Sequence, residues 1–469
     1  MTLLGYLMLP IGLGGLLLSK RWLYRMFVFW TLFSATSAAN FGEKENGSAL
    51  QLWMLFGLIW LIRLILEHQI MLHSSADRRI LRPCLWLVAF VIAASFSLIM
   101  PLYINGTLLI TSPVLFDGSE TPLFLTSRNL TQLLYLIFGC GISICVAHSN
   151  LKDEERHETE RVILFSAGCL STWGLLQFVC NVTGISYPAS ILNNSGSISA
   201  RGYLENLNGV GRLSSAAVEP SIFALSLISL LPLTVPAWLK RGSVFSVPLD
   251  RFCAVLFTVL LILSTSSTAY LGFLILGVLL IPVFVRTRSM SLRKAIKLSI
   301  LTGTAGTAVI GILVVSIPYF KEVISSALLE KAVSGSGMER LMTIGLAFGY
   351  FQKFPWLGIG WGSATSHDLI VKLLSNVGII GTVVFIAAMS SVIWNNWKSL
   401  EPMGGPMSLS RVTWFLCFCV FLLASVAIGF PLSLGNFWLL LGMAISTAWK
   451  PAEGSLPEDN WDNLQSDTE

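Results

Sequence analysis

Charge is what this chain has least of. Asp, Glu, Lys and Arg make up 12% of its 469 residues, about half the share found in an average soluble domain. Too little charge remains to wet a water-facing surface, which excludes a soluble globular enzyme. Other shortages narrow the field further. The formal net charge of +5 is too small to suggest nucleic acid as a partner. The eight cysteines all fall in or at the ends of apolar runs, so a disulfide framework between loops is not expected. There is no repeat of fixed period and no soluble segment of independent size. The first apolar run has no basic segment before it and no small-residue cleavage site, because Lys20, Arg21 and Arg25 follow it. It reads as a retained helix rather than a signal peptide.

What remains is apolar, with AVILMFWYC at 54%. A transmembrane helix takes about 20 apolar residues, and a backbone in lipid must satisfy its own hydrogen bonds. Apolar runs between charged residues predict thirteen spans, near 2–18, 26–41, 49–65, 83–103, 130–148, 161–183, 219–238, 252–267, 269–285, 298–318, 374–394, 412–430 and 433–449. The expected fold class is all-α: one polytopic helical bundle in the lipid bilayer over 1–450, followed by an acidic, disordered cytoplasmic tail over 451–469.

Loop charge gives the bundle a direction. Twenty basic residues fall on alternate loops, beginning with Lys20, Arg21 and Arg25, and eight on the others: Lys44, Arg128, Arg201, Arg212, Lys321, Lys331, Arg340 and Lys353. The positive-inside rule makes the first set cytoplasmic, with the N-terminus outside and the C-terminus inside. Three outer segments are long, about 104–129, 184–218 and 319–373. Connections of that length are usually functional, so the chemistry is expected on the outer face.

Topology also sorts the five histidines. His68, His73, His148 and His157 lie on cytoplasmic loops, and His367 stands alone outside. It is the only outer side chain whose ordinary pKa lies near neutral pH. Its context, TSHDLIVKLLSNVGIIG, predicts a helix start with Thr365 or Ser366 as N-cap. A helix N-terminus disfavours the imidazolium and would keep the ring able to accept a proton, while Asp368 pulls the other way. The competing reading is a loop histidine bonded to a backbone carbonyl.

Arg201, Arg212 and Arg340 stand on a face that otherwise avoids positive charge, and a guanidinium offers a planar fork matched to phosphate oxygens. Singly, each fits an ordinary loop residue; with His367 the set reads as an anion pocket beside a base. Glu219 follows Arg212 by seven residues and precedes Pro220, which suits a first helical turn. It either partners an arginine or favours the positive helix end. Lys372 and Arg63 sit near or within spans, where charge is costly; Lys372 either snorkels or faces the outer cavity. The outer carboxylates show no D-x-D spacing, so cationic side chains rather than a metal are expected to hold any phosphate. Gly358, Gly360 and Gly362 alternate in PWLGIGWGS, but with no strand before them they predict a tight outer loop, with Trp356 and Trp361 at the interface, and not a nucleotide fingerprint. Cys417 and Cys419 point to different faces of a helix and read as packing.

The stretch GMERLMTIGLAFGYFQKFPWLGIGWGSATSH with DLIVKLLSNVGIIGTVVF resembles the O-antigen polymerase and ligase family of bacterial envelope proteins. The resemblance rests on Arg340, Pro355, Gly358, Gly360, His367, Gly378 and Gly381, with Arg212 before Glu219-Pro220-Ser221 and the Ser/Thr run LSTSSTAYLG upstream. It covers about 200–395. It implies a GT-C-like membrane glycosyltransferase of the bacterial inner membrane, active on the periplasmic face without metal or nucleotide cofactor. Donor and acceptor would be polyprenyl-diphosphate-linked oligosaccharides, and a chain-length regulator protein is a further partner to expect. Arg212 and Arg340 would hold the donor diphosphate, with Arg201 a weaker candidate. His367 would orient or deprotonate the acceptor hydroxyl, with Glu219, Lys372 and Asp368 lining the substrate site. The Ser/Thr run lacks the arginine often found there in ligases, and Asp368 stands where Asn often follows the His. Both departures, and the Glu-Pro-Ser segment, favour a polymerase of O-antigen, capsule or exopolysaccharide. The alternatives are a ligase transferring the glycan to lipid A core or protein and, in another class, a lipid-linked oligosaccharide flippase.

Overall fold

In a computed structural model of the chain the described residues are 1–41, 48–67, 78–111, 120–196, 202–204, 206–207, 210–239, 242–287, 293, 335–400, 406–429 and 431–449. The predicted span at 298–318, the tail at 451–469 and Arg201 lie outside them. The chain is mostly helical, as expected. Among the described residues, seven helices are long and apolar enough to cross a membrane: Arg78–Ile104, Ser127–Ser149, Asp153–Thr183, Pro220–Trp238, Ser267–Arg286, Leu369–Ser399 and Leu409–Val426. Shorter apolar helices run over Leu3–Leu18, Leu52–Leu66 and Gly435–Thr447.

The helices are α1 (Leu3–Leu18), α2 (Lys20–Trp30), α3 (Leu52–Leu66), α4 (Arg78–Ser97), α5 (Ile99–Ile104), α6 (Ser127–Ser149), α7 (Asp153–Thr183), α8 (Ala189–Leu192), α9 (Pro220–Leu230), α10 (Val235–Trp238), α11 (Val247–Leu263), α12 (Ser267–Arg286), α13 (Gly335–Lys353), α14 (Leu369–Ser399), α15 (Pro406–Val426) and α16 (Gly435–Thr447). Every residue of α9 and α16 is buried, so these two form the centre of the bundle. At 13 residues, α16 is too short to cross a hydrocarbon core of about 30 Å; it is enclosed by α6 and α15.

Three two-stranded antiparallel hairpins decorate one end: β1 (Ser37–Phe41) with β2 (Ser48–Gln51), β3 (Leu109–Thr111) with β4 (Glu120–Pro122), and β5 (Asn206–Leu207) with β6 (Val210–Gly211). The first corrects the span expected at 26–41. Helix α2 stops at Trp30, and the polar run that follows bonds elsewhere: the Ala35 amide donates to the Ala216 carbonyl at 3.0 Å, and the Ser37 amide to Asn194 Oδ1 at 2.8 Å. Helix plus turn still carries the chain from one end of the bundle to the other. A second correction concerns 319–373, expected as a long loop: its described part contains α13. A third lengthens the span expected at 161–183, because α7 starts at Asp153. Asp153, Glu154 and Glu155 occupy its first turn, where carboxylates suit the helix dipole.

The opposite end holds the basic loops. Lys20 and Arg63 both reach Glu67, at 3.5 and 2.7 Å, and Arg63 also donates to the Leu16 carbonyl at 2.6 Å, closing the end of α1. Arg156 is buried, pairs with Asp153 and donates to the carbonyls of Asn150 and Leu151 at 3.0 and 2.7 Å. Six of the eight cysteines, Cys417 and Cys419 among them, are buried, and all are free thiols.

Helix α14 is the element that prepares the site. It breaks at Gly378, whose φ of 64° and ψ of −166° are not helical. The break frees backbone groups on both sides, and the glycine-rich loop supplies their partners. Ile359 and Gly360 amides donate to the carbonyls of Ser375 and Asn376 at 2.8 and 3.1 Å, while the Ile379 amide donates to the Pro355 carbonyl at 2.8 Å. Asn376 clamps the far end of the loop, accepting from the Ala364 amide and donating to the Ala364 carbonyl, each at 3.0 Å. The loop is tight, as expected, but only Trp356 is exposed. Trp361 is buried edge-on against Phe90, with its amide on Ser97 Oγ at 3.0 Å, which corrects its placement at the interface.

A methyl group at Gly378 would press on the Trp356 carbonyl, in a backbone region that L-residues rarely adopt. Gly378→Ala is expected to cost about 3 kcal/mol. Gly168 lies in α7 with open space around it, so Gly168→Ala should add about 0.5–1 kcal/mol. Thermal unfolding of both variants in detergent checks the pair, and a Gly378→Ala protein as stable as wild type would contradict the account of the break.

Candidate functional site

At the hairpin end, the N-terminal turns of α13 and α14 meet the C-terminal end of α15. His367 lies between them, half-buried, just before α14. Its Nδ1 stands 2.9 Å from Thr343 Oγ1, and the Thr343 hydroxyl donates to the Arg340 carbonyl at 3.0 Å. The hydroxyl proton is thereby used, so Nδ1 carries the hydrogen and donates to Thr343. In that tautomer Nε2 is the acceptor atom of the ring. One partner of His367 is thus a side-chain hydroxyl one helical turn beyond Arg340.

Burial first, then the positive charges of Arg340 and Lys372, hold the His367 pKa down at about 4, against an ordinary 6.5. This decides the question left open by Asp368. The Asp368 carboxylate is turned to the helix, where Oδ1 accepts from the Val371 amide at 2.8 Å. Asp368 is therefore the N-cap of α14, not Thr365 or Ser366; the Ser366 hydroxyl instead accepts from the Asp368 amide at 3.2 Å.

Lys372, one turn into α14, donates from Nζ to the Gly429 carbonyl at 3.1 Å. Gly429 ends the α15 turn with φ 78° and lies so close to the Ser366 and His367 backbone that a Cβ there would come within 2.9 Å of His367 Cα. One glycine thus braces the histidine and anchors the lysine. Arg128, in the first turn of α6, acts electrostatically on Lys372. A row of cations, Arg128, Lys372 and Arg340, runs past a neutral imidazole.

Carboxylates close the other side. Glu339 adjoins Arg340 in α13, and its carboxyl is held above the usual range by burial and by Glu219, with Arg340 opposing. Glu219 occupies the N-cap position of α9 with Pro220 in the first turn, and accepts from Ser221 Oγ at 2.9 Å. Arg212 directly follows β6, seven residues before Glu219. Its carbonyl accepts from Gln177 Nε2 at 3.1 Å, and Gln177 Oε1 accepts from the Ser214 and Ser215 amides at 3.1 and 2.7 Å. The structure therefore brings His367, Arg340, Lys372, Asp368 and Glu219 to one end and places Arg212 on the segment leading to it. Among the described residues, no three His, Cys, Asp or Glu side chains come together to hold a metal ion.

Thr343, Arg128, Glu339 and Gly429 belong to this site but were not expected there. Thr343 had a signal, since three residues after Arg340 it shares that helix face. Gly429 and Arg128 come from distant helices, and nothing local marks them.

The imidazole of an unfolded chain titrates near 6.5 and that of His367 near 4. The folded state thus binds fewer protons in that interval. The histidine's contribution to stability is complete above about pH 6.5 and is lost as pH falls through about 4. Heteronuclear NMR of the imidazole should find His367 neutral at pH 5. In Lys372→Met the titration should move up, and in His367→Gln the loss of stability on acidification should shrink. A His367 that titrates near 6.5 in the folded protein would contradict the electrostatic account.

No protein-family model matches the chain, and no curated protein matches it in sequence.

Proposed function

We propose that this chain is a membrane glycosyltransferase, a polymerase that joins polyprenyl-diphosphate-linked oligosaccharides by single displacement with inversion and without a metal ion. The observation that carries this reading is the grouping of Arg340 and Lys372 about a neutral His367, with Arg128 acting on Lys372 and the imidazole held at Nδ1 by Thr343. Fixed positive charge suits a departing diphosphate, and a positioned acceptor suits an attacking hydroxyl.

In this reading the donor diphosphate lies among Arg340, Lys372 and Arg128, with Arg212 on the approach. The acceptor oxygen attacks the anomeric carbon, the carbon–oxygen bond to the diphosphate breaks, and the cations take up the charge on the leaving group. The hydroxyl proton passes to His367 Nε2. The two charges that depress the imidazole are the ones a diphosphate would offset. Donor binding would therefore raise the proton affinity of His367 and switch the base on only when a leaving group is in place.

The reading carries with it a polytopic, GT-C-like topology with the N-terminus outside. The site end would face the periplasm and the opposite end, with Lys20, Arg63 and Arg156, the cytoplasm of a bacterial inner membrane. At that opposite end buried Arg156 and partly exposed Arg63 donate to carbonyls at helix ends, an arrangement that favours a transferase over a flippase.

Surface glycan from a deletion strain complemented with His367→Ala or Arg340→Gln should show only single repeats on gels, a loss of polymer of at least about 100-fold. Long chains left on the carrier lipid would make the protein a ligase, and wild-type ladders from both variants would refute the site. Independently of activity, inorganic diphosphate should raise the His367 titration measured by NMR.

A further inference from the structure

The hairpin end of the molecule has a small core of its own. Ile104, Leu108 and Leu123, from the segment before α6, pack with Tyr350 of α13 and with Ile359 and Ala364 of the glycine-rich loop. Among the described residues this cluster is separate from the main core of the bundle. The Tyr350 hydroxyl accepts from the Thr111 amide at 2.9 Å. Three parts of the site therefore meet here: the segment that leads into Arg128, the helix that carries Arg340, and the loop that ends near His367. Apolar contact is non-directional, so it gathers these parts without fixing how the side chains they carry are aimed.

Asn129 supplies the direction. It is 2% exposed, and both ends of its carboxamide are used. Oδ1 accepts from the Thr126 amide at 3.0 Å and from the Thr126 hydroxyl at 2.9 Å. Nδ2 donates to the Trp361 carbonyl at 2.7 Å and to Ser363 Oγ at 2.9 Å. Reaching back to the start of α6 needs only Oδ1; the two bonds from Nδ2 leave the helix and grip the loop. Gly362, with φ 80°, lets the loop come this close, since a Cβ there would lie 3.0 Å from Gln132 Cβ and 3.5 Å from Asn129 Cα. Arg128 is the preceding residue of the same first turn, and successive side chains diverge by about 100° around a helix. Seating the Asn129 amide in the loop therefore fixes the direction in which Arg128 leaves α6, and Arg128 acts on Lys372. We propose that Asn129 is a positioning residue for anion binding: by tying the first turn of α6 to the glycine-rich loop, it aims Arg128 at the place beside Lys372 where the substrate diphosphate is held. The proposal rests on the reading of the site given above.

Inorganic diphosphate is the probe, and its affinity for the full-length protein in phosphatidylcholine nanodiscs is read by NMR from the shift it causes in the His367 titration. Asn129→Ser leaves a hydroxyl in the turn that is too short to reach the loop. It should weaken diphosphate by about tenfold, as should Arg128→Gln. The double variant should bind no more weakly than Arg128→Gln alone, because an amide that works by aiming Arg128 then has nothing to aim. Thr126→Ala removes a hydroxyl from the same turn, keeps both bonds to the loop, and should bind diphosphate as wild type does. Losses that add in the double variant, wild-type affinity in Asn129→Ser, or an equal loss in Thr126→Ala would each overturn the positioning role and leave the anion site standing. Should Asn129→Ser fail to fold, Ser363→Ala removes one of the two loop acceptors and carries the same cycle, with an expected loss of about threefold. If wild type does not respond to diphosphate, the positioning role and the anion site fall together.

Discussion

The site depends on a helix that is broken inside an apolar bundle. A break at membrane depth exposes carbonyls and amides that no water can satisfy, and each costs several kcal/mol if left alone. Helix α14 meets this constraint by exchange: the 355–360 loop donates to Ser375 and Asn376 before the break and accepts from Ile379 after it. The loop thus cannot move without unsatisfying the helix, and the helix cannot straighten without releasing the loop. His367 hangs from the far end of that loop, between the Asn376 clamp on Ala364 and the cap that Asp368 makes for α14. Its position is set by the backbone hydrogen bonds on either side of it, which suits a group that must hold one orientation.

The apolar periodicity made most of the bundle legible. Runs near 83–103, 130–148, 161–183, 219–238, 269–285 and 374–394 each correspond to one of the long apolar helices, because a stretch of that length in lipid has no alternative to helix. The failures have local causes. The run at 26–41 was apolar enough, but Ser34, Thr36 and Ser37 find partners on the segments around 192–194 and 216–218, and tertiary hydrogen bonds outweigh a weak helical preference. Helix α13 was hidden because Glu339, Arg340 and Lys353 break its apolar run, although its outward face is as apolar as any span. A window average cannot separate a helix with two faces from a loop.

The candidate site was half legible. His367, Arg340 and Lys372 could be picked out by chemistry alone, since a titratable ring and cations on a face that avoids positive charge need a reason to be there. Their partners could not. Arg128 arrives from α6 and Gly429 from the end of α15, more than fifty residues from Lys372 in either direction. The alternating glycines signalled the tight loop but not its reason: Gly358 is needed because α14 approaches its backbone, with Ser375 O and Asn376 C within 2.6 Å of where a Gly358 Cβ would sit, and Gly360 because Pro101 does.

Electrostatics joins the two halves. Bringing three cations to one end of a poorly charged chain costs free energy in proportion to how little water reaches them. Arg340 meets Glu339 on one side only; toward His367 it and Lys372 act in the same direction. A ring placed there must be neutral, and through Thr343 it must also present Nε2, so tautomer and charge are both settled before any substrate arrives. An anion that entered between Arg340 and Lys372 would be attracted by both. The same event would remove the field that keeps a proton off His367. Anion binding and basicity are therefore linked by one set of charges, and neither can be altered by substitution at Arg340 or Lys372 without altering the other.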